Sequence, residues 1–209
     1  MSFITLDPLQ IAMVVAGALI AGFTTGFAGF GTGLVASGLW FHALPAVMVP
    51  PLVVLASVAA QAVGLFSVRR AFDWSRALPY LVGGACGVPI GIAALSAASP
   101  IVLRTAIGTF LVVYAGYALL RRRQRTIGSL GGRPADALIG CGGGFLGGFA
   151  GLSGPLPIVW LQLRGLEPER QRATYQPYNF AVLVLAGLGM ALDGRIGRPV
   201  IGIVALCLP

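Results

Sequence analysis

From Pro8 to Val68 the chain carries no Asp, Glu, Lys or Arg. Such a run cannot be the surface of a soluble domain, where about a quarter of residues are charged. The whole chain of 209 residues is 57% apolar and 10% charged, with a mean hydropathy of +0.90. Inside a bilayer no water is present to satisfy backbone N–H and C=O groups, so long apolar runs must satisfy their own as helices. The expected class is an all-α polytopic membrane protein.

Within those runs one pattern occurs twice. GFTTGFAGFGTG, Gly22 to Gly33, returns as GFLGGFAGLSG, Gly144 to Gly154, at an offset of 122 residues. Gly22, Phe23, Gly26, Phe27, Ala28 and Gly29 match Gly144, Phe145, Gly148, Phe149, Ala150 and Gly151. Glycines that interrupt an apolar span at the same place in two halves point to a transporter with its site between repeats. The reading is two homologous repeats of about four transmembrane helices each, residues 1–127 and 136–209, joined by an Arg/Gly linker at 128–135.

In order, span 1 runs from Leu9 to about Phe41. About 20 residues suffice to cross, so it reads as a helix, a break at Gly29 to Gly33 and a second helical piece. A re-entrant hairpin is the alternative, and the sequence leaves both open. Span 2 covers Pro45 to Phe66, with Pro50 and Pro51 in its first turns. Span 3 covers Leu78 to Ala97, interrupted at Gly83-Gly84 and Pro89, and span 4 covers Ile101 to Leu120. Span 5, Ala137 to Leu163, holds the second glycine stretch. A polar loop from Arg164 to Gln176 leads to span 6, Tyr178 to Leu192, and a last apolar run starts at Pro199. By the offset, Pro209 corresponds to Gly87, so the second repeat reads as truncated.

The net charge is +8, and every basic residue is Arg. The arginines sit in short loops between apolar runs, which is the pattern of membrane orientation and not of nucleic-acid binding. The loops after spans 2, 4 and 6 carry the basic excess and are expected in the cytoplasm. If span 1 crosses once, the N-terminus is then cytoplasmic. The start MSFITLDPLQ lacks a basic n-region and a cleavage site, so the first span reads as retained. Expected partners are the lipid bilayer, a small solute and a second copy of the chain. No cofactor is expected.

A helix that restarts inside the membrane presents free N–H groups and the positive end of its dipole, which suits an anion. Thr32 is placed to cap the first restart. Ser153-Gly154-Pro155 reads as a break followed by proline at the first helical position. Thr32 and Ser153 bring hydroxyl donors, while Gly29, Gly31, Gly33, Gly151 and Gly154 let the backbone approach a ligand. Gln176, Tyr178 and Asn179 open span 6, where they line the site or cap the helix. Against this stands plain helix packing, because Gly22-x-x-x-Gly26 and Gly144-x-x-x-Gly148 have the small-residue spacing of touching helices. The Ser-Gly-Pro restart and the hydroxyls favour a site for the stretch as a whole. Arg104 and His42 read as interfacial side chains, and Trp40, Trp74 and Trp160 as an aromatic belt. No Asp or Glu lies deep in a span, since Asp136 and Asp193 fall at span ends. This favours an anion moving without a buried carboxylate relay.

The two glycine stretches, GGFLGGFAGLSGPLP at 143–157 and LRGLEPERQRATYQPYNF at 163–180, together make the chain resemble the TauE/SafE sulfite-exporter family of bacterial membrane permeases. The resemblance covers essentially the whole chain. It implies a non-enzymatic, multi-pass transporter of the bacterial inner membrane that moves sulfite, organosulfonates or related sulfur anions. Two other classes compete. An intramembrane thiol–disulfide electron carrier would use Cys86, in Cys86-Gly-Val-Pro89, and Cys207, which falls near its repeat equivalent. Buried thiols in apolar surroundings are poor nucleophiles, however. A non-transporting assembly subunit would show no flux alone.

Overall fold

A computed structural model of the chain describes residues 7–68, 72–120, 126, 128 and 131–207. These residues form α1 (Pro8–Ala28), α2 (Thr32–Ala43), a 3₁₀ turn (Ala46–Met48), α3 (Val49–Val68), α4 (Trp74–Ala97), α5 (Pro100–Leu120), α6 (Gly132–Ala150), α7 (Pro155–Leu163), α8 (Pro168–Leu192) and α9 (Arg198–Cys207), with no strand among them. Among the described residues five segments are long and apolar enough to cross a membrane: α1, α4, α5, α8, and Ala46–Leu65, which joins the 3₁₀ turn to most of α3.

Glycine decides where the helices stop. Gly29 and Gly151 have φ of 79° and 74°, a left-handed conformation that glycine adopts without steric cost. The Gly29 N–H donates to Thr25 O at 2.7 Å, and the N–H groups of Gly151 and Leu152 donate back to Gly147 O and Leu146 O at 2.9 and 3.1 Å. Both are αL endings, a bond from the left-handed glycine to the carbonyl four residues back. In both halves the next helix then turns back along the one just finished. Trp40 of α2 donates its indole N–H to Val14 O of α1 at 3.0 Å. Trp160 of α7 donates to Asp136 Oδ1 of α6 at 2.7 Å. Val14 and Asp136 are themselves 122 residues apart. Each glycine stretch is therefore the tip of a helical hairpin. The short arms, 12 residues in α2 and 9 in α7, are about 18 and 14 Å long and do not cross alone.

The hairpins are held between crossing helices. Gly83, Gly87 and Gly91 of α4 face Gly140, Gly144 and Gly148 of α6, and a Cβ at any of the six would overlap backbone atoms of the other helix. Pairs advance together along both chains, Gly83 with Ala137, Gly87 with Cys141 and Gly91 with Phe145, so α4 and α6 run parallel. Small residues at this spacing are what allows two backbones to touch. α8 also runs parallel to α4: Gly84 meets Tyr178 and Val182, Gly189 meets Ile92, and Ser96 Oγ donates to Asp193 Oδ2 at 2.9 Å. α3 runs antiparallel to α8, with Val54 at Gly187 and Gln176 at Gly64. α3 and α8 thus follow their hairpins in opposite directions.

Several expectations change. Span 3 is not interrupted, because α4 continues through Pro79 and Pro89, and its glycines are contact points. Much of the expected polar loop is helix, since α8 begins at Pro168, so Gln176 and Asn179 lie within a buried helix and do not open it. α6 begins at Gly132, inside the expected linker. Trp40 is fully buried and Trp160 is partly buried on Asp136, so these two are struts of the hairpins and only Trp74, 60% exposed, suits a belt. The premise that span 1 crosses once fails, because α2 returns. Arg69, Arg70, Arg121, Arg122, Arg123 and Arg125, which weighed in the orientation, lie outside the described residues.

Candidate functional site

The two hairpin tips meet. A Cβ on Gly33 would stand 2.9 Å from Gly151 O and 2.8 Å from Leu152 Cδ2. Between the tips lies a pocket of about 20 Å³, lined by Gly31, Thr32 and Gly33 from one tip and Gly151, Ser153 and Gly154 from the other. α3 contributes Ser57 and Gln61, and α8 contributes Asn179. Seven of the nine residues singled out in the sequence meet here. The other two, Gly29 and Gln176, line a wider adjoining cavity of about 650 Å³ together with Thr32, Gln61 and Arg172. Thr32 and Gln61 border both spaces.

Local sequence explains the chemistry of the tips. Gly31 is the N-cap of α2, and Thr32 is its first residue, so the expected capping role of Thr32 passes to the glycine. The Thr32 hydroxyl instead shares a 2.6 Å hydrogen bond with the Thr25 hydroxyl. The first bond into α2 is Val35 N–H to Gly31 O at 3.0 Å. The N–H groups of Thr32, Gly33 and Leu34 precede it and have no backbone acceptor. In α7 the first such bond is Ile158 N–H to Gly154 O at 3.1 Å. Pro155 and Pro157 bring no N–H, so that end offers Ser153, Gly154 and Leu156. Helix starts of this kind leave donors and positive dipole ends aimed at whatever lies between them.

The opposite, C-terminal ends of the long arms also reach the tips, and several of their carbonyls are taken. Arg172 Nη2 donates to Phe27 O at 2.8 Å, Tyr175 Oη to Ala28 O at 3.0 Å, and Gln61 Nε2 to Gly29 O at 3.3 Å. In α6 the Gly151 and Leu152 N–H groups take the Gly147 and Leu146 carbonyls. Ser153 Oγ donates to Asn179 Oδ1 at 3.3 Å. Ser57, 3% exposed, has no partner for its Oγ, and Gln176 has none for its Oε1. Every side chain lining the small pocket is neutral.

Ser57, Gln61, Thr25, Arg172 and Tyr175 were not singled out from the sequence. A signal existed for Ser57, because it stands 122 residues before Asn179 and the repeat pairs them. Gln61 has Leu183 as its counterpart, and only its polarity within an apolar run marked it. Arg172 and Tyr175 lie in what read as a loop. Arg104 and His42 are both exposed and outside the two cavities, and the His42 Nδ1 is 2.8 Å from Gly38 O. The glycine packing explanation holds in one half only: Gly144 and Gly148 press on α4, while Gly22 and Gly26 have nothing within 4 Å. No group of three His, Cys, Asp or Glu residues suited to a metal occurs among the described residues.

A second polar centre ties the base of the α6–α7 hairpin. Asp136 Oδ1 accepts from Tyr80 Oη at 2.7 Å and from Trp160 Nε1 at 2.7 Å, and Arg164 Nη2 lies 3.1 Å from it. The Arg164 guanidinium stands 5.3 Å from the centroid of the Trp160 ring. This buried carboxylate is committed to holding the hairpin closed.

The family model described as sulfite exporter TauE/SafE matches residues 14–209. Neither the curated proteins nor the solved structures give a match. The matched span contains both hairpins, the crossing helices that clasp them and the pocket where their tips meet, and the chain belongs to the TauE/SafE sulfite exporter family.

Proposed function

We propose that the chain is a secondary transporter or facilitator for small sulfur oxyanions such as sulfite or organosulfonates, which bind where the hairpin tips meet. The observation that carries this reading is the pair of short-helix N-termini, whose first N–H groups have no backbone acceptor, facing one pocket lined by uncharged side chains. Discontinuous helices whose positive ends meet at a common point are a recurring way to hold an anion within a membrane. A pocket of about 20 Å³ holds about one water-sized group, so the tips must part to admit a solute.

The directions of the helices support an inverted repeat, α1 to α5 against α6 to α9, in which rocking of one hairpin against the other exposes the pocket to alternate sides. They also favour the orientation opposite to the expected one. α4, α6 and α8 begin on the side opposite the start of α1, and Arg76, Arg133, Arg164, Arg170 and Arg172 lie near those helix starts. Arg104, Arg195 and Arg198 lie toward the other side. By the positive-inside rule the richer side is cytoplasmic, so α1 begins outside. The membrane is the bacterial inner membrane, multiply crossed.

The test is flux in proteoliposomes. Labelled sulfite is followed with sulfate, taurine and sulfoacetate as competitors. Saturable uptake that one or more sulfur anions suppress is expected. Uptake no faster than in protein-free vesicles, over a range of sulfite concentrations, refutes the reading.

A further inference from the structure

We propose that the pocket between the hairpin tips selects a singly charged oxyanion over a doubly charged one of the same shape. The inference rests on the reading of that pocket as the solute site, and it concerns what the site can neutralise. Among the described residues no cationic side chain lines the pocket. Its positive potential comes from the starts of α2 and α7, each worth about half a charge, or about one charge together. The ends of α1 and α6 point toward the same place and can only subtract from that sum. Arg172, Tyr175 and Gln61 take the Phe27, Ala28 and Gly29 carbonyls, and the Gly151 and Leu152 N–H groups take those of Gly147 and Leu146, so the acceptor-free N–H groups set the sign but do not raise the total.

Arg172 does not supply a second positive charge to the pocket. It borders only the wider cavity, where it is half-buried and its Nη2 is committed to Phe27 O. Other titratable groups near the tips are Tyr175, held on Ala28 O, Tyr178, held on Gly140 O, and Cys207 at the far wall of the wider cavity. None lines the small pocket. A dianion there would carry about one uncompensated charge inside the membrane, where an unpaired charge is strongly disfavoured.

An independent observation marks the pocket as built for a ligand. Ser57 is 97% buried, lines the pocket and has no hydrogen-bond partner for its Oγ. A buried hydroxyl is ordinarily satisfied, and here an oxyanion between the tips would accept from it. Its repeat counterpart, Asn179, holds the Ser153 hydroxyl on the other side. The pocket thus offers neutral donors from both repeats and about one unit of dipole charge.

The test compares methanesulfonate with sulfate, which differ by a methyl group in place of one charged oxygen. Thermal stabilisation of the detergent-purified full chain is measured against each anion at constant ionic strength. Sulfite is added at pH 6, where the protonated monoanion is the larger fraction, and at pH 8, where the dianion is. Methanesulfonate is expected to stabilise at concentrations at least about tenfold below sulfate, a difference of about 1.4 kcal/mol. Sulfite should act at lower total concentration at pH 6 than at pH 8. Ser57→Ala, which removes an unpartnered atom, should fold normally and need several-fold more methanesulfonate. Sulfate equal to or better than methanesulfonate overturns the proposal, as does a methanesulfonate requirement unchanged by Ser57→Ala or no stabilisation by any of the three. Because binding is read without transport, saturable flux with sulfate preferred would sink this inference alone. Monoanion-selective binding without flux would sink only the transport reading.

Discussion

Replacing Gly33 by alanine tests whether close contact of the two tips is what forms the site. The added methyl group would stand 2.9 Å from Gly151 O and 2.8 Å from Leu152 Cδ2, where ordinary contact begins at 3.4 Å. The leucine can rotate away, but the carbonyl belongs to the backbone of the facing tip. The tips must therefore separate by about 0.5 Å, a gap that already forfeits about a quarter of a van der Waals contact and misaims hydrogen bonds across it. Overpacking of this kind costs about 1–3 kcal/mol in stability. A hydrogen bond to a charged acceptor is worth about 1.5–3 kcal/mol, so loss of one across the gap raises the apparent KM for sulfite about tenfold or more. Gly38→Ala is the control. It lies on the same short arm, has nothing within 4 Å, and should leave the KM within about twofold, as exposed substitutions do. The assay is the proteoliposome flux, normalised to correctly inserted, monodisperse protein. A folded Gly33→Ala protein with the wild-type KM would refute the argument that the tips share one ligand.

Three further outcomes follow from the packing. Gly87→Ala places a methyl group on the Cys141 carbonyl and 2.7 Å from Phe145 N; it should lower the thermal midpoint sharply or prevent folding, whereas Gly22→Ala, with open space around it, should not. Asp136→Ala leaves Arg164, Tyr80 and Trp160 without their shared acceptor, a loss of about 3 kcal/mol of the kind seen when one member of a buried pair is removed, to be read from detergent-solution unfolding. Simultaneous replacement of Cys86, Cys141 and Cys207 by serine or alanine should leave sulfite flux intact, and abolition of flux in a folded protein would instead favour thiol–disulfide chemistry.

The Asp136 centre and the pocket divide the hairpin between them. At its base, Asp136 with Tyr80, Trp160 and Arg164 fixes α7 against α6 through charged and aromatic groups. At its tip, neutral donors are held by few bonds, one of them 3.3 Å long. The α1–α2 hairpin has an indole-to-carbonyl bond from Trp40 to Val14 at the same place and no ion pair there. The α6–α7 base is thus the more strongly braced of the two. The carboxylate that the sequence placed at a span end has this structural task, and the pocket is left without a titratable side chain.

Much of the candidate site could be read from residues alone because its chemistry is local. Glycine at Gly29 and Gly151 permits the left-handed turn that stops a helix, and Pro155 after Gly154 starts the next. Duplication told that the two tips belong together, and it would have paired Ser57 with Asn179. The boundaries of α8 were not legible, because Glu167 to Gln176 is polar enough to read as a loop. It becomes helix because its apolar and aromatic side chains, Tyr175 among them, are buried against α1 and α3 while Arg170 stays exposed. The glycines of α4 were misread as breaks for a related reason: in the absence of a partner, Gly83, Gly87 and Gly91 look like weak points, yet against α6 they are the contact.

The sequence by itself determined the membrane class and the two places, at Gly29 and Gly151, where a helix stops at a hairpin tip. These follow from solvation of the backbone and from the conformational range of glycine and proline, which act over a few residues. Only the tertiary structure decided that each broken helix turns back, since straight continuation and reversal satisfy the same local hydrogen bonds. The choice is made by contacts far apart in the chain, Trp40 on Val14 and Trp160 on Asp136. With that choice came the opposed directions of the two halves, the meeting of the tips, and the small neutral pocket between them.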